Sequence, residues 1–209
     1  MNDQGETVHV KICGITCLED AEAAIACGAD ALGFVFAKES PRYIPPADAG
    51  QIISQLPPFM TSVGVLTSAT EILSLMNITR INLIQFHGSF SQAILKRFSH
   101  CGIGVLRVRD AQSVCDLPHY PFRALLLDGF DHKKLGGTGI SFDWSLVASL
   151  TERTHAPLII AGGLTPENVR DACRVTRPYG VDVSSGVEHS PGRKDPKKMA
   201  AFIRAAKNA

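Results

Sequence analysis

Apolar and polar positions switch between two periods along this chain. Short apolar or alternating runs of strand length recur, as in Val10-Lys11-Ile12-Cys13 and Ala124-Leu125-Leu126-Leu127-Asp128. Between them lie stretches in which apolar residues return every three or four positions, the period of a helix with one buried face. The runs predict strands over 8–15, 31–36, 61–67, 82–87, 103–109, 123–128, 158–162 and 181–185. The intervening stretches predict helices over 18–27, 47–56, 69–77, 91–100, 110–117, 144–153, 166–175 and 196–206. Thr165-Pro166 and Asp195-Pro196 each place a capping side chain before a proline suited to the first helical position. Gly28 and Gly180 stand where a helix should stop and the next strand begin. Eight βα units in 209 residues leave room for short loops only, which fits a single-domain α/β protein over 1–209, a closed parallel (β/α)8 barrel. A doubly wound open sheet has the same element order and is the structural alternative. Two loops are longer, 37–46 and 129–142; they follow the second and sixth strands, so they fall at a barrel's catalytic end and are expected to close over a bound substrate.

Composition narrows the function classes. The net charge of +1, with both signs interspersed, gives no electrostatic footprint for nucleic acid or an anionic membrane, so phosphate recognition should be local. No apolar run reaches the length that spans a bilayer. The first nine residues are polar and lack the apolar segment of a secretory signal, so a cytoplasmic protein is expected. The six cysteines show no disulfide rhythm. Cys13 and Cys17 are close, but no second Cys/His pair completes a zinc pattern, and neither a metal nor another cofactor is expected.

Parity within the strands then selects residues for chemistry. On the first strand Val8, Val10 and Ile12 share one face and His9, Lys11 and Cys13 the other. If the apolar set packs on helices, Lys11 and Cys13 point into the barrel. A lysine there needs a carboxylate partner, and Asp182, inward on the eighth strand, can supply it. A free cysteine is usually a small core residue, but a neighbouring cation lowers a thiol's pKa and makes a reactive thiolate available. Asp128 ends an apolar strand, where it is either a turn cap before Gly129 or a functional carboxylate at the barrel mouth. Gly162 and Gly163 after the seventh strand, with Ser184, Ser185 and Gly186 after the eighth, suit an anion, since loops there commonly hold phosphate in this fold. Arg42, stiffened by Pro41, suits a planar grip on a carboxylate, although a solvated arginine is the default. His87 ends the fourth strand and either orients substrate or satisfies a backbone carbonyl. Arg193, Lys194, Lys197 and Lys198 read most simply as the solvated start of the last helix.

Taken in order, Val10-Lys11-Ile12-Cys13-Gly14-Ile15-Thr16, Ser40-Pro41-Arg42-Tyr43, Leu127-Asp128, Gly136-Gly137-Thr138-Gly139, Phe142-Asp143-Trp144, Ala161-Gly162-Gly163-Leu164 and Val181-Asp182-Val183-Ser184-Ser185-Gly186-Val187-Glu188 closely resemble the phosphoribosylanthranilate isomerases. The resemblance implies a TIM barrel without cofactor, monomeric or homodimeric, that carries out an Amadori rearrangement on a phosphorylated aminosugar in tryptophan biosynthesis. It further implies Asp128 as general acid on the furanose ring oxygen and Cys13 as general base on the adjacent sugar carbon. Arg42 would hold the anthranilate carboxylate, Gly163 and Ser185-Gly186 the phosphate, and Asp182 the sugar. The chain departs from the family's usual pattern in two places. Phe86 stands where leucine is common, on the face opposite His87, and should alter packing against helices. Ile140-Ser141 stands where many relatives carry Lys-Thr.

Other readings remain at this stage. An indole-glycerol-phosphate synthase would need a catalytic lysine and carboxylates in an arrangement not found here, and a ribulose-phosphate epimerase would need metal-binding His/Asp groups. Activity on a histidine-pathway aminoaldose would call for two aspartates, against which Cys13 argues. A barrel that only binds a phosphorylated ligand is the reading from a different class; it has no need of both Cys13 and Asp128.

Overall fold

The computed structural model describes residues 7–69, 72–108, 122–129, 144, 154 and 156–209. Eight parallel strands appear where the pattern places them: β1 His9–Cys13, β2 Ala31–Val35, β3 Thr61–Leu66, β4 Leu83–Phe86, β5 Gly102–Val108, β6 Ala124–Gly129, β7 Leu158–Ala161 and β8 Gly180–Val183. Each pairs with its neighbours, and β8 returns to β1 with Lys11 opposite Asp182 and Ile12 opposite Val183. The sheet is therefore closed, and the open doubly wound alternative is excluded.

The helices described are α1 Leu18–Ala26, α2 Pro46–Ile53, α3 Ile72–Thr79, α4 Gln92–Arg97, α5 Val169–Thr176 and α6 Pro196–Lys207. The helices expected over 110–117 and 144–153, and the glycine-rich loop with Ile140-Ser141, lie almost wholly outside the described residues. Where described, sequence signals act as capping chemistry requires. Asp195 accepts from Lys197 N at 2.8 Å and from Lys198 N at 3.2 Å at the start of α6, whose Pro196 lacks the hydrogen that position would leave unpaired. Gly28 (φ +95°) ends α1 in the left-handed region. The expected start at Thr165-Pro166 is corrected. α5 begins at Val169: Thr165 Oγ1 accepts from Glu167 N (3.3 Å), while the Asn168 side chain accepts from Thr165 N (2.8 Å) and donates to Gly163 O (2.9 Å), so 163–168 form a turn that precedes the helix. Gly180 does not cap that helix either; Arg177 takes the left-handed position (φ 41°), and Gly180 opens β8.

Strand parity sorts the core into two layers. Even-numbered residues of β1, β2 and β4 and their equivalents, among them Ile12, Leu32, Phe34, Ile84, Leu127 and Ile160, are buried outward against the helices. α5 and α6 answer with residues at helical spacing: Val169, Ala172, Cys173 and Thr176 on one, Met199, Phe202, Ile203 and Ala206 on the other. Phe86 belongs to this outer layer. It stacks on Phe122 (5.7 Å between ring centroids) and meets Phe90 edge-on (4.9 Å), so the departure from the family's usual leucine is absorbed by an aromatic cluster facing away from His87.

Inward residues fill the barrel with Val63, Ile103, Ala124, Leu126, Ile159 and Ala161. A buried polar cluster interrupts this apolar filling. Lys11 Nζ donates to Asp182 Oδ1 and to Gln85 Oε1, both at 2.9 Å, with all three residues buried. The barrel closes around a satisfied ion pair just below Cys13.

Candidate active site

The C-terminal ends of the strands surround a cavity of about 450 Å³, a size common for small-molecule sites. Strand alternation puts Cys13, Asp128 and Asp182 on its wall from β1, β6 and β8, with His87 just past β4. The loop after β2 brings Arg42. Gly162 and Gly163 after β7, and Ser184, Ser185 and Gly186 after β8, complete the rim. All ten residues singled out in the sequence therefore meet at one place. Their chain separation vanishes because every strand of a parallel barrel ends at the same face.

Cys13 is 7% exposed and lies above Lys11. Gly33 makes room for it: a Cβ there would come within 2.8 Å of the Cys13 sulfur and 3.0 Å of Lys11 Cε. Burial pushes the Cys13 thiol up; the positive charge of Lys11 pulls it down without fully offsetting that. The lowered thiol pKa expected from an adjacent lysine is thus not seen: burial outweighs the pull of Lys11, and the nearby Asp182 charge adds to the rise. Cys173, which has burial and no cation, is pushed up to about 11. Burial likewise raises the Asp128 carboxyl, and the Asp182 charge adds to the rise, while His87 and Arg107 draw it back. Burial lowers His87, helped by Arg107, whose Nη2 lies 3.4 Å from its Nε2. The cavity thus holds a carboxyl made less acidic and a thiol beside a fixed cation.

The rim after β7 and β8 is built from close backbone approaches. Gly162 (φ +86°) and Gly163 (φ +66°) turn the chain away from β7, and a Cβ on Gly162 would lie 2.8 Å from Asp128 Oδ1. A Cβ on Gly186 would overlap the carbonyl oxygen of Leu164, so only glycine lets the two turns touch. Ser185–Val187 forms a single 3-10 turn, whose first amides have no partner within the turn. Among the described residues the buried Ser184 hydroxyl also has no hydrogen-bond partner. The two strand ends thus gather donors around one corner of the cavity, as an anion requires.

Arg42 is not the solvated arginine that was its default reading. Its Nε and Nη2 donate to the two oxygens of Glu188 at 2.8 and 2.7 Å, and its stem crosses Gly14. The basic cluster before the last helix is also corrected. The Lys194 side chain is fully buried, with Nζ 2.9 Å from Glu188 Oε1, and Lys198 Nζ donates to Glu188 O at 2.8 Å. Glu188 and Lys194 face each other across a small hairpin, β9 Glu188–Ser190 and β10 Arg193–Lys194, inserted between β8 and α6. Sequence reasoning assigned no role to Glu188, and none to Gln85 inside the barrel. An acidic residue two positions beyond Ser-Gly is a faint signal, and nothing in a run of basic residues marks which lysine turns inward.

Among the described residues, no group of three or more His, Cys, Asp or Glu side chains is placed to hold a metal ion, and no helix is long and apolar enough to cross a membrane. Residues 10–205 match the family model described as N-(5'-phosphoribosyl)anthranilate (PRA) isomerase. The N-(5'-phosphoribosyl)anthranilate isomerase of Geobacter metallireducens is 47% identical over 208 residues, spanning 96% of this chain and 99% of its own. The solved phosphoribosyl anthranilate isomerase of Thermotoga maritima superposes with a TM-score of 0.89 at 41% identity, covering 97% of this chain and all of its own. A phosphoribosyl anthranilate isomerase in complex with reduced 1-(o-carboxyphenylamino)-1-deoxyribulose 5-phosphate gives 0.86 at 40% identity, with the same coverage. The match runs the length of the barrel and includes every strand end that lines the cavity. The chain belongs to the N-(5'-phosphoribosyl)anthranilate isomerase family.

Proposed function

We propose that this chain isomerises N-(5-phosphoribosyl)anthranilate to 1-(2-carboxyphenylamino)-1-deoxyribulose 5-phosphate, a step of tryptophan biosynthesis, by general acid–base catalysis. The observation that carries the residue roles is the convergence of Cys13 above Lys11, a buried Asp128 and a glycine-rich anion corner on one cavity. Asp128, kept less acidic by burial, donates a proton to the furanose ring oxygen; the bond from that oxygen to the anomeric carbon breaks and leaves an iminium. The Cys13 thiolate then takes the proton from the neighbouring sugar carbon, and the resulting enolamine becomes the ketone as its enol hydroxyl gives up a proton and a proton adds to the former anomeric carbon. Arg42 faces the substrate carboxylate, the turns at Gly162-Gly163 and Ser184-Ser185-Gly186 take the phosphate, and Asp182 and His87 orient the sugar.

The test is the decay of substrate fluorescence with freshly made phosphoribosylanthranilate, wild type and Cys13→Ser side by side. Fast conversion that collapses in the variant supports both reaction and base. A folded wild type that converts nothing sinks the isomerase reading and promotes the binding module.

A solved relative with a TM-score of 0.83 at 39% identity is described as a monomer generated from the dimeric isomerase of Thermotoga maritima. Of monomer and homodimer, the latter has support here: Phe59 is 99% exposed beside a cavity of about 380 Å³ at the opposite end of the barrel. Sedimentation of wild type and Phe59→Glu distinguishes the two states.

A further inference from the structure

We propose that Glu188 and Lys194 are positioning residues for substrate recognition: Glu188 fixes one edge of the Arg42 guanidinium, and Lys194 offsets the charge of Glu188 so that Arg42 still attracts an anion. The inference rests on the reading of Arg42 as the group that meets the substrate's ring carboxylate.

A guanidinium has two edges that can each grip a carboxylate with parallel hydrogen bonds. Glu188 occupies the edge made by Nε and Nη2, at 2.8 and 2.7 Å. The opposite edge, Nη1 with the second hydrogen of Nη2, has no partner among the described residues, and Arg42 lines the cavity. The stem lies against the backbone of Gly14, where a Cβ would meet Arg42 Cδ at 2.7 Å. Arg42 is thus locked before any substrate arrives, which lowers the entropy lost on binding.

That lock alone would defeat its purpose. An arginine paired one-to-one with a carboxylate is electrically neutral as a unit and draws a second carboxylate weakly. Lys194 changes the balance. Its Nζ lies 2.9 Å from Glu188 Oε1, the same oxygen that accepts from Arg42 Nε and, at 3.3 Å, from the Gly192 amide. Two cations now flank one carboxylate, and the three side chains together keep one positive charge. The Lys194 side chain is 0% exposed, so little water screens that charge. A buried lysine is costly to keep for stability alone. The hairpin β9–β10 explains how it is held: it sets Lys194 opposite Glu188 in register, with Gly192 (φ +81°) at the turn, and Asp20 accepts from the Lys194 amide at 2.9 Å.

The experiment compares two substrates, phosphoribosylanthranilate and the analogue made from aniline, which lacks the ring carboxylate, on wild type, Arg42→Ala, Glu188→Gln and Lys194→Met. Glu188→Gln and Lys194→Met are each expected to raise KM for the anthranilate substrate about tenfold or more, with a smaller change in kcat. Both should lose much less kcat/KM with the aniline analogue than with the anthranilate substrate, because the analogue offers Arg42 no carboxylate to hold, and Arg42→Ala should show the same discrimination. Equal losses on both substrates would overturn the proposal, for they would mark a structural role. A wild type that converts neither substrate would overturn the isomerase reading itself, and this one with it. If either single variant does not fold, the double variant Glu188→Gln/Lys194→Met, which removes both buried charges, carries the same comparison.

Discussion

Lys11 of β1 and Asp182 of β8 stand directly opposite each other in the closing pair of the barrel, with Nζ and Oδ1 2.9 Å apart. Their side chains are 6% and 8% exposed, and Gln85 Oε1 takes a further hydrogen of the lysine. Removing one partner leaves the other charge buried without compensation, whereas removing both takes the burden away. Lys11→Met should therefore lower the unfolding free energy by about 3–5 kcal/mol, and Lys11→Met/Asp182→Asn should recover part of that loss in urea titrations. A double variant as unstable as the sum of the singles would show that the two side chains are not coupled.

The proposed mechanism needs Asp128 protonated and Cys13 ionised together. Burial pushes both groups up from their ordinary values, and the thiol remains the weaker acid of the two. The reactive form is thus the minor member of the singly deprotonated pair. kcat/KM should be bell-shaped, rising through the titration of Asp128 above the ordinary carboxyl value near about 3.9 and falling through that of Cys13 above about 8.5. In Asp128→Asn the rate should drop by roughly 10²–10⁴ and lose its alkaline fall, climbing instead until the thiol is fully ionised. An unchanged bell in that variant would remove Asp128 from the role of acid.

Phe86 points away from the cavity into the cluster with Phe90 and Phe122. Phe86→Leu should cost about 1 kcal/mol through the lost ring contacts and lower Tm by roughly 2–4 °C for a chain of this size. Steady-state kinetics should not move, because His87 lies on the other side of the strand. A changed kcat/KM would mean that packing behind β4 reaches the site.

How much of this was readable beforehand follows the periodicity. Inward and outward layers depend only on alternation, so Cys13, Asp128, Asp182 and their partners could be placed on the cavity wall from parity. The pairing of Lys11 with Asp182 followed from the cost of an unpaired charge. Local competition was less visible: Asn168 takes over from Thr165 as the residue at the start of α5 through two hydrogen bonds that the proline signal does not reveal. Burial of Lys194 was hidden for a different reason. Its neighbours Arg193 and Lys197 are exposed, and only the three-dimensional return of the hairpin onto Glu188 singles it out. The thiol's pKa was misjudged because parity reports neighbours and not depth.

Gly186 lets the turn after β8 rest on the carbonyl oxygen of Leu164, a contact that leaves no space for a methyl group. Gly186→Ala must shift one of the two turns that gather at the anion corner. A displacement near 1 Å at a binding group can cost up to about a hundredfold in rate. kcat/KM should fall by that order, and inorganic phosphate should become a weaker competitive inhibitor by a similar factor. Undiminished inhibition by phosphate would place the anion elsewhere.

Burial pushes the Glu188 carboxyl up, but hydrogen bonds from Arg42 and Lys194 more than offset this and hold it below the ordinary carboxylate range. A carboxyl whose folded pKa is depressed contributes stability that is present above its unfolded value, about 4.3, and lost as the pH falls through the folded one. Glu188→Gln should be less stable than wild type at neutral pH, where the amide leaves Arg42 and Lys194 without a countercharge. As the pH drops below about 4.3 the wild type loses this contribution and the variant has none to lose. The gap between their melting temperatures should narrow across that acid window. A gap that stays constant from neutral to acid pH would mean that Glu188 holds its two partners by shape and not by charge, which would also weaken its assignment as the residue that sets Arg42 for an anionic substrate.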